Sequence, residues 1–232
     1  MERKSTKTTI PFVKNNEFDY AWLVGFIDKE HRQPWAWLVY IGMVIFVITA
    51  VSNGANITDG LDGLATGTSA ITGMVLGVFA YVSSNVILAD YLNIMYIPNT
   101  QELVVFASAF IGATIGFLWY NSFPAEVFMG DTGSLALGAA LGGMAIMTGT
   151  ELYLPLIGGI FVIEGLSLII QVIAVRVFHR RVFLMSPIHH HFELKDWSET
   201  KIIVRFWIVT AILAAAGFTL YYLTYTRGPF PW

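Results

Sequence analysis

Three segments of this chain concentrate residues able to do chemistry. Asn53-Gly-Ala-Asn56-Ile-Thr-Asp59-Gly-Leu-Asp62-Gly63 alternates carboxamides and carboxylates with glycines. In helical geometry, spacing by three puts successive side chains on neighbouring parts of one face, and Gly60 and Gly63 admit close backbone approach by a ligand. Hard oxygen donors of this kind suit Mg²⁺, which keeps several waters and is commonly completed by substrate phosphates. Calcium-loop mimicry or helix capping by Asn and Asp is the plainer account. Phe128-Met-Gly-Asp131-Thr-Gly-Ser134 precedes an apolar run. Asp131 or Thr132 could cap the helix there, and a helix amino terminus is also an anion site, because its free N–H groups and dipole favour phosphate.

The third segment is Pro187-Ile-His189-His190-His191-Phe-Glu193. Consecutive histidines lie about 100° apart on a helix, so all three cannot ligate one ion as zinc-binding i, i+4 pairs do. Imidazoles that donate hydrogen bonds or carry protons near neutral pH suit a phosphate-handling loop better. His31 and His179 are isolated and read as solvated or interfacial.

The elements that position these segments are membrane helices. The chain has 232 residues, 56% of them hydrophobic and only 12% charged, against about 25% charged in a soluble domain. A net charge of -3 supplies no basic field for nucleic acid, and the absence of Cys removes disulfide frameworks and thiolate metal sites. A spanning helix needs roughly 20 mainly apolar residues. Six stretches qualify: 35–52, 63–82, 103–120, 133–149, 152–175 and 206–225. The expected fold is therefore all-α, a polytopic integral membrane bundle of about six transmembrane helices over residues 35–232, preceded by a polar, basic segment 1–34. Gly112 with Gly116, and Gly138 with Gly142, have the small-residue spacing that lets helices approach closely.

Each span reverses the side of the chain, so the connections after the first, third and fifth spans share one side. These connections are the ones that carry the three segments. The opposite connections, 83–102 and 150–151, contain no Lys or Arg. Charge alone gives no orientation: Arg176, Arg180, Arg181, Lys195, Lys201 and Arg205 on the histidine side face Arg3, Lys4, Lys7, Lys14, Lys29, Arg32 and Arg227 on the other. Within the spans the one ionisable residue is Glu164, with Gln171 seven positions on and near the same face. That face should look inward, Glu164 as a partner inside the bundle or part of a site, and Gln171 as a ligand contact.

Taken together, NGANITDGLDGLATG, FLWYNSFPAEVFMGDTGSLALG and MSPIHHHFELKDW resemble the membrane family of polyprenyl-phosphate N-acetylhexosamine-1-phosphate transferases. The first two mark the superfamily, and the histidine loop is similar to its muramoyl-pentapeptide branch. The resemblance runs from about Ile10 to the carboxyl end. It implies transfer of phospho-N-acetylmuramoyl-pentapeptide from the UDP-sugar to undecaprenyl phosphate, giving lipid I and UMP with Mg²⁺, at the cytoplasmic face of the bacterial inner membrane. By the same resemblance, Asp131 matches a metal-binding aspartate and Asn56 the amide that helps hold metal or pyrophosphate. Asp59 and Asp62 match nucleotide-side and catalytic acids, and His189 joins them and Asp131 as a catalytic group. Asn121 and Phe128 match uridine contacts; Asn53, Ser134, Gln171, Ser186, His189 and His190 fill out the substrate pocket.

The implied partners are UDP-MurNAc-pentapeptide, undecaprenyl phosphate, membrane lipid and a second copy in a homodimer, with no nucleic acid. One departure is large. The family's full chain carries about four further amino-terminal helices with an adjacent Asp pair and lysines, and nothing here matches them. The resemblance is thus to a carboxyl-terminal part, whether a fragment, a late start or half of a split protein. Two other readings stand beside it: a transporter, whose polar residues should gather at mid-depth, and an inactive truncated relative.

Overall fold

The computed structural model describes residues 6–9, 17–26, 29–91 and 96–226. Much of the segment 1–34, including Arg3, Lys4 and Lys14, lies outside the described residues, as does Arg227. Two short strands, β1 (Lys7–Thr9) and β2 (Glu17–Asp19), pair antiparallel with Thr8 opposite Phe18. The helices are α1 (Lys29–Thr58), α2 (Leu64–Ser84), α3 (Val86–Tyr91), α4 (Gln101–Asn121), α5 (Gly130–Met147), α6 (Leu154–Ile157), α7 (Gly159–Phe178), α8 (Ile188–Glu193) and α9 (Glu199–Thr226). An all-α polytopic membrane bundle is therefore what forms.

Helices stand at all six expected spans, with two differences. Among the described residues five helices are long and apolar enough to cross a membrane by themselves, and α5 is not one of them. Its glycines and Asp131 dilute its hydropathy, and it relies on close packing against α1 instead. A Cβ on Gly138 would lie 2.5 Å from Ser52 Cα and from the Val51 carbonyl oxygen, and one on Gly142 would lie 3.4 Å from Ile48 Cα. Backbone meets backbone along this seam. The other small pair behaves differently: Cβ atoms on Gly112 and Gly116 would meet nothing within 4 Å. Helix α4 instead turns Ala107, Phe110 and Thr114 toward α2. The second difference concerns the stretch 152–175, expected to be continuous, which breaks at Gly158 into α6 and α7.

Helix α2 lies at the centre, packed on α4, α9 and α5. Small residues make this possible, since a Cβ on Gly67 would fall 2.3 Å from the Trp207 ring and one on Gly73 2.7 Å from that of Phe110. The polar hydroxyls this helix buries are partly satisfied along its own backbone, as where Thr68 Oγ1 donates to the Leu64 carbonyl at 2.7 Å. Gly63, at φ 76, makes the left-handed turn that separates α1 from α2.

The β-hairpin docks on the connection between α5 and α6, with the Thr9 N–H donating to Gly149 O at 3.0 Å and the Thr8 hydroxyl to the same oxygen at 3.2 Å. Glu151, buried there, has its carboxyl pushed up by desolvation, against a downward pull from the Thr8 hydroxyl. The hairpin therefore occupies the end of the bundle opposite Asp59, Asp131 and His189, as span parity requires. In this Cys-free chain, a cysteine at exposed Ser198 and one at exposed Asp90 are expected to react with an impermeant maleimide from opposite sides of a sealed vesicle. Labelling of both from one side would break the span count.

Candidate active site

The end of α1, the turn to α2 and the first turn of α5 meet through one side chain. Asn56 Nδ2 donates to Asp131 Oδ1 at 3.0 Å and to Ser134 Oγ at 3.0 Å. Both amide hydrogens are committed, so the group Asn56 offers outward is its carbonyl oxygen. Ser134 is buried and anchored to its own turn, its hydroxyl also reaching the Gly130 carbonyl at 3.2 Å. The expected capping by Asp131 or Thr132 does not occur: α5 starts at Gly130, Asp131 sits inside its first turn, and no side chain bonds the end of the helix. Gly130, at φ 67, makes the entry possible. The first-turn N–H groups thus lie beside an exposed carboxylate.

Asp59, half-buried just past α1, is pushed up to about 6, first by desolvation and then by the negative charge of Asp131. The charge of Asp131 thus acts on Asp59, and negative charge concentrated in this way favours a bound metal cation. Among the described residues no group of three or more His, Asp or Glu side chains is arranged around one ion. The donor set here is two carboxylates and an amide oxygen, which suits a hard ion that takes its remaining ligands from water or phosphate.

The residues expected to touch a nucleotide mostly build the 121–127 loop. Asn121 is buried, accepts the Thr66 hydroxyl at 2.8 Å and donates to Val127 O at 2.9 Å. Asp62 Oδ2 accepts the Ala125 N–H at 2.9 Å, while its own N–H donates to Glu199 Oε1 at 3.0 Å. Neither Thr66 nor Glu199 was legible as part of this site, because both pairings are long-range. Phe128, 73% exposed, is held out from the loop as a free aromatic face. Asn53 is exposed and donates back to Thr49 O at 2.8 Å.

The histidine loop is strapped to α7. Gln171 Oε1 accepts the N–H groups of Val182 and Phe183 at 3.1 and 3.0 Å, and Nε2 donates to Phe183 O at 3.0 Å. The structure thus places the Gln171 amide on loop backbone. The three histidines diverge. His189 is buried with Nδ1 3.0 Å from Glu164 Oε1, His190 Nδ1 pairs with Glu193, and His191 Nδ1 accepts the Leu184 N–H at 3.0 Å. Ser186, half-buried, immediately precedes Pro187 at the head of α8. Glu164 is buried and inward as expected, and its partners come from the polar-face loop.

Between α1 and α7 lies a cavity of about 470 Å³, apolar along most of its wall. It runs from Leu154 and Pro155, near the hairpin end, past Phe161 and Leu166 to Asn53 and Ile57 at the polar face.

Residues 10–149 match the family described as glycosyl transferase family 4. The chain is similar to proteins named phospho-N-acetylmuramoyl-pentapeptide-transferase. That of Flavobacterium johnsoniae is 58% identical over 220 residues, covering 92% of this chain and 53% of the relative. Those of Parabacteroides distasonis and Porphyromonas gingivalis are 54% and 51% identical over 234 residues, each covering 92% of this chain and 56% of the relative. The chain spans about half the length of the curated relatives it matches. The match over residues 10–149 takes in the Asn56, Asp59 and Asp131 constellation, and by it the chain belongs to glycosyl transferase family 4.

Proposed function

We propose that this chain supplies one wall of a transferase that moves phospho-N-acetylmuramoyl-pentapeptide from its UDP carrier to undecaprenyl phosphate, releasing UMP at the cytoplasmic face of the inner membrane. The observation that carries the reading is Asp131, held by the Asn56 amide, with half-buried Asp59 within reach of its charge. Uncompensated negative charge beside an uncapped helix terminus fits a divalent cation together with a diphosphate. Asp131 and the Asn56 carbonyl oxygen would hold Mg²⁺, which when bound would withdraw charge from the pyrophosphate oxygens.

The rest falls to the side chains. The α5 N–H groups orient the diphosphate. Asp59, with its raised affinity for a proton, is placed to take one from the acceptor phosphate. Phe128 offers a stacking face to the uracil ring, on the loop that Asn121 and Asp62 hold. The cavity between α1 and α7 takes the apolar acceptor chain, whose phosphate then arrives beside Asn53.

The test is UMP release from UDP-N-acetylmuramoyl-pentapeptide and undecaprenyl phosphate, measured with and without Mg²⁺, for the chain alone and for membranes that also hold the amino-terminal half of a relative. Metal-dependent release in the combined membranes is expected. The chain alone is expected to run at least about a hundredfold slower, because groups off position by an ångström already cost that much. Absence of release in both preparations, with the chain folded, would refute the assignment.

A further inference from the structure

Of the three histidines, His189 is placed deepest, and its ring joins a spanning helix to two loops. Both oxygens of Glu164 are committed on the α7 side: Oε1 stands 3.0 Å from His189 Nδ1, and Oε2 accepts the Ile188 N–H at 3.0 Å. Against an ionised Glu164, which only accepts, Nδ1 is the nitrogen that donates. The ring is thereby oriented with Nε2 facing away from α7.

Nε2 is buried and has no hydrogen-bond partner among the described residues. It lies against the backbone of Gly60, where a Cβ would come within 2.3 Å of Nε2 and 2.9 Å of Cε1. Gly60 is not among the glycines at positive φ, so the ring, and not the turn, explains the missing side chain. Gly60 stands between Asp59 and buried Leu61, in the turn that carries one of the two facing carboxylates. Closing α7 against α8 would not need a carboxylate. An apolar residue of similar volume would often stabilise such a contact as well or better, and a buried carboxylate inside a membrane bundle is costly. What an apolar residue could not do is fix the rotation of the imidazole.

We infer that Glu164 is a positioning residue: through His189 it sets the seat of Gly60, and hence where the 59–62 turn holds Asp59 relative to Asp131. The inference rests on the reading of that carboxylate pair as the reaction site, but it concerns the placement of the turn, which can be read without turnover.

The experiment places a single cysteine at Leu61 in the Cys-free full chain and measures its alkylation rate by a small permeant maleimide in native membranes, with melting temperature as a control. Glu164→Ala is expected to raise the rate on the order of tenfold, which is what losing a buried hydrogen-bond partner is worth, and Gly60→Ala by about as much, through the clash of its methyl with the ring. Combined, they should raise it no further, since both act through one ring. In a His189→Ala background, Gly60→Ala should have no effect, because the atoms its methyl would strike are gone.

Should Glu164→Ala fail to fold, Glu164→Gln serves in its place. The isosteric amide keeps one accepting oxygen, so either the Ile188 N–H or His189 Nδ1–H loses its acceptor, or the ring must change tautomer; a smaller rise is expected and no rise would overturn the inference. A lowered melting temperature with the Leu61 rate unchanged would equally overturn it, leaving the pair as a structural contact. Additive effects of Gly60→Ala and Glu164→Ala would do the same. The assay also separates the two claims. If the parent chain releases no UMP even in membranes that also hold the amino-terminal half, while the labelling pattern holds, the transferase reading falls and the positioning role stands; turnover there with a flat labelling pattern means the reverse.

Discussion

Asp131→Asn is expected to lower Mg²⁺-dependent UMP release by at least about a hundredfold, the usual order for removing one preorganised charged or polar group from a phosphoryl or acyl site. The side chain does three jobs at one place. It faces Asp59 across the site, it receives the Asn56 amide at 3.0 Å, and it sits in the first turn of α5 where the N–H groups are uncapped. The amide of Asn removes the charge while keeping the shape, so the helix and its seam with α1 should survive. The metal concentration for half-maximal activity should rise along with the loss of rate. Asp90→Asn, on an exposed carboxylate of α3 at the other end of the bundle, is the control and should leave both quantities unchanged. Equal, small effects of the two substitutions would mean that Asp131 is a surface residue and that the charge facing Asp59 is incidental.

Gly138→Val is expected to be the most damaging apolar change in the described chain. The branched side chain would begin 2.5 Å from Ser52 Cα and from the Val51 carbonyl oxygen, and a backbone cannot swing aside as a flexible side chain can. Relief requires α1 and α5 to separate, at a cost on the order of 1–3 kcal/mol or more. Separation would also stretch the Asn56 bonds to Asp131 and Ser134, because those residues stand a turn or two further along the same two helices. Loss of thermal stability and loss of metal dependence should therefore appear together. Gly112→Val, at a position with open space around it among the described residues, should alter neither. A Gly138→Val protein that melts like its parent would show that the α1–α5 seam is looser than drawn.

The chemical character of this protein was readable from composition and spacing. Twelve per cent charge and repeated apolar runs leave the bilayer as solvent, and in a bilayer only helices or closed barrels satisfy the backbone. Counting reversals of direction then put the Asn53–Asp62, Asn121–Asp131 and histidine segments on one side before any contact was known. The inward face of Glu164 followed from the cost of a carboxylate in hydrocarbon.

What each side chain does on that side was decided by tertiary structure. Asn56 and Asp131 are 75 positions apart, and Asp62 and Glu199 are 137 apart. No local period encodes such pairings, because they depend on which helix faces which. That choice was made by small residues whose effect is purely steric: Gly138 and Gly142 closed a seam, whereas Gly112 and Gly116, with the same spacing, face outward. Gln171 has the composition of a ligand contact, and tertiary structure sets its amide on the backbone of Val182 and Phe183. The three histidines are equal as letters. One turn of α8 sends His189 inward to Glu164, while His190 and His191 take other partners, because consecutive helical side chains diverge by about 100° and only one of them can meet the buried carboxylate.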